Sequence, residues 1–146
     1  MSDNETIIRE LYRRAEVQDA AAFVDMFTPD GYFNDISAGQ KYVGQDVGRT
    51  VDIYSTAFPD MHRALEQVVV MGDVVLVQLT LNGTHRGPLA LPAGTIAPTQ
   101  QTIHTPCCDV FRIKDGKVAS FDCYTAATIL FAQLGILGNL GAALQA

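Results

Sequence analysis

Residues 109–122 read DVFRIKDGKVASFD, and the punctuation in this stretch sets the architecture. Asp115-Gly116 separates two runs rich in strand-forming residues. That is the signature of a tight hairpin, with Gly116 at the position that wants positive φ. The reading therefore has a strand over Thr99–Ile113, the turn KDGK, and an antiparallel return over Val118–Cys123. Upstream, Val74–His85 alternates cleanly. Val75, Val77, Leu79 and Leu81 share one face, and Gln78, Thr80, Asn82 and Thr84 share the other. Gly72-Asp73 is a turn that ties this strand to another over His62–Met71.

Before Pro59 the period is helical. Ile7, Ile8, Leu11, Tyr12 and Ala15 mark one face of a helix over Asn4–Ala15, with Ser2 or Asn4 as its cap. A second helix is expected over Asp19–Phe27, ended by Pro29-Asp30-Gly31. YFNDI (32–36) reads as a short strand, and a third helix runs over Gln45–Ala57. RGPLALPAGTIAP (86–98) reads as a loop. A last helix is expected over Thr125–Leu134, followed by the apolar tail ILGNLGAALQA (136–146). The order predicts an α+β fold, with N-terminal helices packed on a strongly curved, mostly antiparallel sheet and a helix at the C-terminus. Without an internal repeat or linker, residues 1–146 are expected to form a single domain.

The chain has 146 residues, 48% hydrophobic and 18% charged, which suits a compact core. A net charge of −6 argues against a nucleic-acid partner. No apolar run reaches the roughly 20 residues of a membrane span. The N-terminus MSDNETIIRELYRR lacks the basic start and apolar block of a secretion signal, so the expected location is cytoplasmic and no membrane partner is expected. The cysteines are Cys107, Cys108 and Cys123. They form no CxxC pattern, so neither a disulfide framework nor a metal site is expected. There is no serine elbow and no phosphate loop. GILGNLG (135–141) follows a helix rather than a strand.

The candidate chemistry centres on Asp122. With a bulged turn, Val118, Ser120 and Asp122 share one face. Arg112, Val110 and Cys108 stand across from them, with Pro106 and His104 beyond. If that face is inward, Asp122 is desolvated and its pKa rises above the ordinary value of roughly 3.9, making it a better base for a carbon acid. The competing reading is a structural acid that caps the last helix or pairs with Arg112. His85 shares parity with Leu79 and Leu81 and is expected near the cavity. There it either hydrogen-bonds an enolate oxygen or serves as a core histidine tied to a backbone carbonyl. Asn34 is a candidate hydrogen-bond donor on the first short strand, and Asp35 beside it reads as a turn residue. Tyr124, next to Cys123, is a candidate ligand contact. Tyr12 and Tyr54 are phenols that could also contact a flat hydrophobic ligand, but at helical spacing they read as core. Asp109 and Arg112 have opposite parity, which argues against their facing one pocket.

The blocks FPDMH (58–62), GDVVLVQLTLNGTHRGPL (72–89), DVFRIKDGKVASFD (109–122) and ATILFAQLGIL (127–137) resemble those of the SnoaL-like polyketide cyclases, within the NTF2-like α+β cones. The resemblance covers nearly the whole chain. It implies that Asp122 is the acid/base and that His85 lies near the pocket. The cyclases carry polar residues, including a histidine, opposite their aspartate. Here those places are Cys108 and Pro106, with His104 further along the face as a substitute. The implied activity needs no cofactor. It is aldol cyclisation or isomerisation of a hydrophobic, carbonyl-bearing small molecule, in a homodimer paired through the outer sheet. The alternative on the same fold is a non-catalytic binding or interaction module.

Overall fold

The computed structural model describes residues 3–138. Ser2 and the part of the apolar tail from position 139 onward lie outside the described residues. Helix α1 spans Asp3–Glu16, and its buried residues Ile8, Leu11, Tyr12 and Ala15 recur at i, i+3, i+4 and i+7. Asp3 and Glu5 in its first turn and Arg13 and Arg14 in its last complement the helix dipole. Helix α2 is short, Ala20–Val24, and the Asp19 carboxylate caps it by accepting the Ala22 N–H at 3.0 Å. Such a cap is worth about 1 kcal/mol. Helix α3 spans Gly48–Ala57.

The strands are β1 (Phe27–Asp35), β2 (Gln40–Val43), β3 (His62–Met71), β4 (Val74–Thr84), β5 (Leu89–Leu91), β6 (Gly94–Ile96), β7 (Thr102–Lys114) and β8 (Lys117–Thr125). Helix α4 follows at Ala127–Gln133. Six strands form one sheet in the order β2-β1-β8-β7-β4-β3. Among the described residues, only β1 and β8 are parallel neighbours. This is the α+β, mostly antiparallel architecture that the strand periods predict.

Helices α1, α2 and α3 cover the inner face of the sheet. Ile8, Leu11, Phe23 and Val51 from the helices join Val75, Val77, Phe111 and Phe121 from the strands in one apolar cluster. Phe111 is fully buried, and truncating such a ring costs about 3–5 kcal/mol. A smaller cluster joins Phe58, Leu89, Ile103, Leu130 and Leu134 beneath α4.

Several boundaries differ from the sequence reading, and four of the differences bear on the architecture. The second helix stops at Val24, because β1 begins at Phe27 and carries Pro29-Asp30-Gly31 within it as an irregularity. A Cβ at Gly31 would stand 2.8 Å from the Val118 carbonyl oxygen, so the bare backbone is what lets the strands pass. Strand β2 lies in a segment read as loop. Residues 86–98 contain the β5–β6 hairpin, whose Gly94 takes φ 145°. Helix α3 is preceded by a 3-10 turn over Gly44–Val47 instead of beginning at Gln45.

Candidate functional site

Strand β7 alternates without interruption. Ile103, Thr105, Cys107, Asp109, Phe111 and Ile113 are all buried, and the residues between them are not. Asp109 pairs with Val77 of β4 and Cys123 of β8, whose side chains are also buried. One carboxylate oxygen of Asp109 accepts the Tyr12 hydroxyl of α1 at 2.6 Å. The other accepts the Cys107 thiol at 3.3 Å. Burial pushes the Asp109 pKa up to about 6, against the opposing pull of the Tyr12 and cysteine hydrogen bonds and the Arg63 charge. Tyr12 is driven well above the usual phenol range, first by burial and then by the Asp109 charge. Both effects follow from a low-dielectric site that disfavours ionised forms.

These groups line a cavity of about 50 Å³, with Tyr54, Arg63 and Thr125 among its other walls. Beside it is a wider cleft of about 280 Å³, bordered by Asp35, Tyr54, Leu89, Thr125, Leu130 and Phe131. Tyr54 and Thr125 line both spaces and so stand between them. Asp35 is placed by the end of β1, where its carboxylate caps a 3-10 turn by accepting the Ala38 N–H at 3.4 Å. Its other oxygen accepts the Tyr54 hydroxyl of α3 at 2.5 Å. Burial raises its pKa, and the Tyr54 and Ala38 hydrogen bonds partly offset this. Each buried carboxylate is therefore held by a phenol, one at each end of a continuous set of walls.

The model of the SnoaL-like domain matches residues 8–121, which span Tyr12, Asp35, Tyr54 and Asp109. The chain belongs to the SnoaL-like family. None of the curated proteins matches this SnoaL-like chain in sequence. Solved structures do. TsrD from Streptomyces laurentii is 18% identical with a TM-score of 0.79, over 92% of this chain and 96% of its own. A protein from Jannaschia sp. CCS1, assigned as a SnoaL-like polyketide cyclase, is 22% identical with a TM-score of 0.78, over 94% of this chain and 93% of its own. A Catenulispora acidiphila protein with a ketosteroid isomerase-like fold is 16% identical with a TM-score of 0.75, over 89% of this chain and 92% of its own. At these identities the likeness establishes the fold.

Within this SnoaL-like domain the residues singled out from sequence fall elsewhere. The expected sharing of a face holds, but the register is offset: Asp122 stands opposite Val110 where the sequence reading puts Cys108, Ser120 is opposite Arg112, and Cys108 is opposite Tyr124. The facing is reversed. A register shift beyond Arg112 leaves Ala119 as an extra residue, so Val118 points inward but Phe121, Cys123 and Thr125 carry the inner face thereafter. Asp122 and Tyr124 lie on the other face by alternation, and Tyr124 is exposed. Asn34 is the direct partner of Asp122 across β1 and β8, and shares that outer face. Cys108 and His104 share it too. The His104 ring contacts the Asn82 side-chain oxygen at 2.5 Å, and its backbone N–H and C=O are clamped by Gln133.

His85 is fully buried but borders neither cavity nor cleft. Its Nδ1 accepts the Thr99 N–H at 3.1 Å, so the ring proton sits on Nε2. The ring packs against Phe58 at 5.4 Å between centroids, and burial lowers its pKa. The polar groups that line these spaces without having been singled out are Asp109, Tyr12, Asp35 and Tyr54. The signal for Asp109 was present: Ile103, Thr105, Cys107, Asp109, Phe111 and Ile113 are the more apolar of the two alternating sets in that strand. No helix among the described residues is long and apolar enough to cross a membrane.

Proposed function

We propose that this SnoaL-like domain is an acid–base enzyme that removes and returns a proton alpha to the carbonyl of an apolar small molecule, driving aldol cyclisation or isomerisation. One observation carries the reading. Two buried carboxylates, Asp35 and Asp109, each accept a tyrosine hydroxyl on opposite sides of the wall made by Tyr54 and Thr125. The cleft is close to the lower end of the roughly 300–1,000 Å³ typical of small-molecule sites, and its walls are mostly apolar. It would hold the body of the substrate. The inner cavity has space for only a few waters at about 10–15 Å³ each, so it suits a carbonyl group rather than a ring.

In this arrangement Asp35 takes the proton. Burial disfavours its charged form and makes it a stronger base than an exposed aspartate. Tyr12, and Asp109 when protonated, donate hydrogen bonds to the oxygen where negative charge develops. Asp35 then returns the proton at the end of the sequence. The acid–base role expected of Asp122 thus moves to Asp35, and the oxyanion contact expected of His85 moves to Tyr12.

Deuterium exchange at the alpha carbon tests this without knowledge of the natural product. A panel of flat, apolar ketones is incubated in D₂O and followed by NMR. The native protein is expected to accelerate exchange, and Asp35→Asn to lose roughly 10²–10⁴-fold of it. Exchange unaffected by Asp35→Asn would overturn the assignment, and retention of a ketone without exchange would favour a binding module instead. Pairing through the outer sheet face, where Tyr124 is exposed, remains part of the proposal. Light scattering should give the mass of a dimer.

A further inference from the structure

The floor of the inner cavity holds two thiols for which acid–base chemistry has no use. Donor atoms of Cys107, Asp109 and Cys123 all lie within 4.8 Å of one another, and all three residues are buried. The sulfurs are 3.7 Å apart. The Thr125 hydroxyl stands 3.6 Å from Cys107 Sγ and 3.4 Å from Cys123 Sγ.

Register decides against a disulfide. Cys107 is opposite Thr125 and Cys123 is opposite Asp109, so the cysteines are diagonal neighbours. Diagonal positions lie about 7–8 Å apart. A disulfide takes Cα separations of about 4.4–6.8 Å and a bond of about 2.05 Å. Closing it would require the paired strands to shift.

Four of the donor separations already suit a metal ion. Two thiolates about 2.3 Å from a tetrahedral zinc stand about 3.8 Å apart, and a thiolate and an oxygen ligand stand about 3.5 Å apart. The observed sulfur–sulfur separation is 3.7 Å, and the sulfur–oxygen separations are 3.3, 3.4 and 3.6 Å. Asp109 turns Oδ1 to the Cys107 thiol, while Oδ2 accepts the Tyr12 hydroxyl. An outer hydrogen bond of this kind orients a ligating carboxylate.

We propose that Cys107, Cys123, Asp109 and Thr125 form a tetrahedral site for a thiophilic divalent cation, zinc by the chemistry of its donors. Binding expels both thiol protons to solvent and leaves two thiolates, one carboxylate and a neutral hydroxyl around the dication. The cation offsets the desolvation of a carboxylate that is otherwise buried among apolar walls. Sulfur donors select against magnesium and calcium, which take oxygen ligands. The site goes beyond the acid–base reading and competes with it for Asp109, an ionised ligand here and a protonated donor there; its occupancy can be measured without any turnover.

Cobalt(II) is the probe. The reduced full-length protein is titrated anaerobically and followed by absorption. One cobalt per chain is expected, with a thiolate-to-cobalt charge-transfer band in the near ultraviolet and the visible bands of a tetrahedral ion. Added zinc should bleach both. Cys108→Ser, on the outer face, should keep the full band, whereas Cys107→Ser and Cys123→Ser should each lose it. Native protein without a thiolate band at saturating cobalt overturns the site, as does a band that Cys108→Ser abolishes. Because these two results need only the native protein and an outer-face variant, they stand even if an inner-face serine variant fails to fold.

Discussion

Tyr12 and Asp109 lie 97 positions apart and meet in a 2.6 Å hydrogen bond in the buried centre of the fold. The bond ties α1 to the middle of β7. Tyr12→Phe keeps the ring against Phe111, with which Tyr12 makes an edge contact at 5.9 Å, but leaves a buried oxygen of Asp109 without its donor. That omission is expected to cost about 1–3 kcal/mol in urea unfolding. Tyr12→Phe and Asp109→Asn should be clearly non-additive in a double-mutant cycle, because they remove the two ends of one interaction. Additive losses would mean that the bond contributes nothing of its own.

Asp35 sets the acid side of the proposed pH profile. It works as a base only when ionised, and burial holds its pKa above the ordinary value of 3.8. Activity is therefore expected to fall on acidification at a higher pH than an exposed aspartate would give. The titratable groups around it are Tyr54 from α3, Tyr42 from β2 and Cys123 from β8. The Tyr54 hydrogen bond favours the ionised form, so Tyr54→Phe should move the acid limb further up in pH. A limb that stays in place in Tyr54→Phe, measured as exchange rate against pH, would assign it to another group.

Asp122→Asn gives the contrasting result. Its side chain lies on the outer face beside Asn34 and borders neither cavity nor cleft. Exchange activity is expected to stay within about twofold of native, and the half-buried side chain, which keeps its shape as asparagine, should cost less than about 1 kcal/mol of stability. A loss comparable with that of Asp35→Asn would return the catalytic role to Asp122.

The Asp122 case shows what the sequence could and could not carry. Strand periods and the Asp115-Gly116 turn were enough for the antiparallel β7–β8 hairpin, but the pairing of Ser120 with Arg112 depends on the extra residue at Ala119. The inner face was not readable from β8 alone, because one extra residue at Ala119 inverts parity halfway along the strand. It was readable from β4 and β7 together. Val75, Val77, Leu79 and Leu81 are inward, and they pair with Phe111, Asp109, Cys107 and Thr105. The Asp35–Tyr54 contact was out of reach, since it joins a strand end to a helix through tertiary packing that no local period encodes. The β5–β6 hairpin was hidden for another reason: strands of three residues are too short to show alternation.

Gly87 tests a close approach between α3 and the segment after β4. A Cβ placed there would stand 2.0 Å from the Thr56 carbonyl oxygen and 2.9 Å from its carbon. Neither is a flexible side-chain end, and the same junction carries the Arg86 and Gly87 N–H bonds to the Ala57 carbonyl. Gly87→Ala must push the two segments apart. A loss of about 1–3 kcal/mol or more is expected in urea unfolding, together with weaker ligand binding because Leu89 borders the cleft two residues on. A native-like midpoint would show that the junction yields more easily than its backbone contacts suggest.

His85 offers a pH signature of stability that is separate from activity. Its ring is fully buried and neutral, with Nδ1 occupied by the Thr99 N–H, and its pKa is lowered by desolvation. The unfolded chain takes up a proton near pH 6.5, whereas the folded chain resists it. The contribution of His85 is therefore complete above that pH and is lost as the pH falls from there towards the lower folded value. Asp35 and Asp109, with raised values, act in the opposite sense, so the native protein alone does not isolate the effect. His85→Gln does, because a glutamine oxygen can accept the Thr99 N–H and does not titrate. Urea midpoints taken between pH 8 and pH 5 should fall more steeply for native protein than for His85→Gln. Parallel curves would mean that protonated His85 is accommodated in the fold, and would return it to consideration as a titrating group of the site.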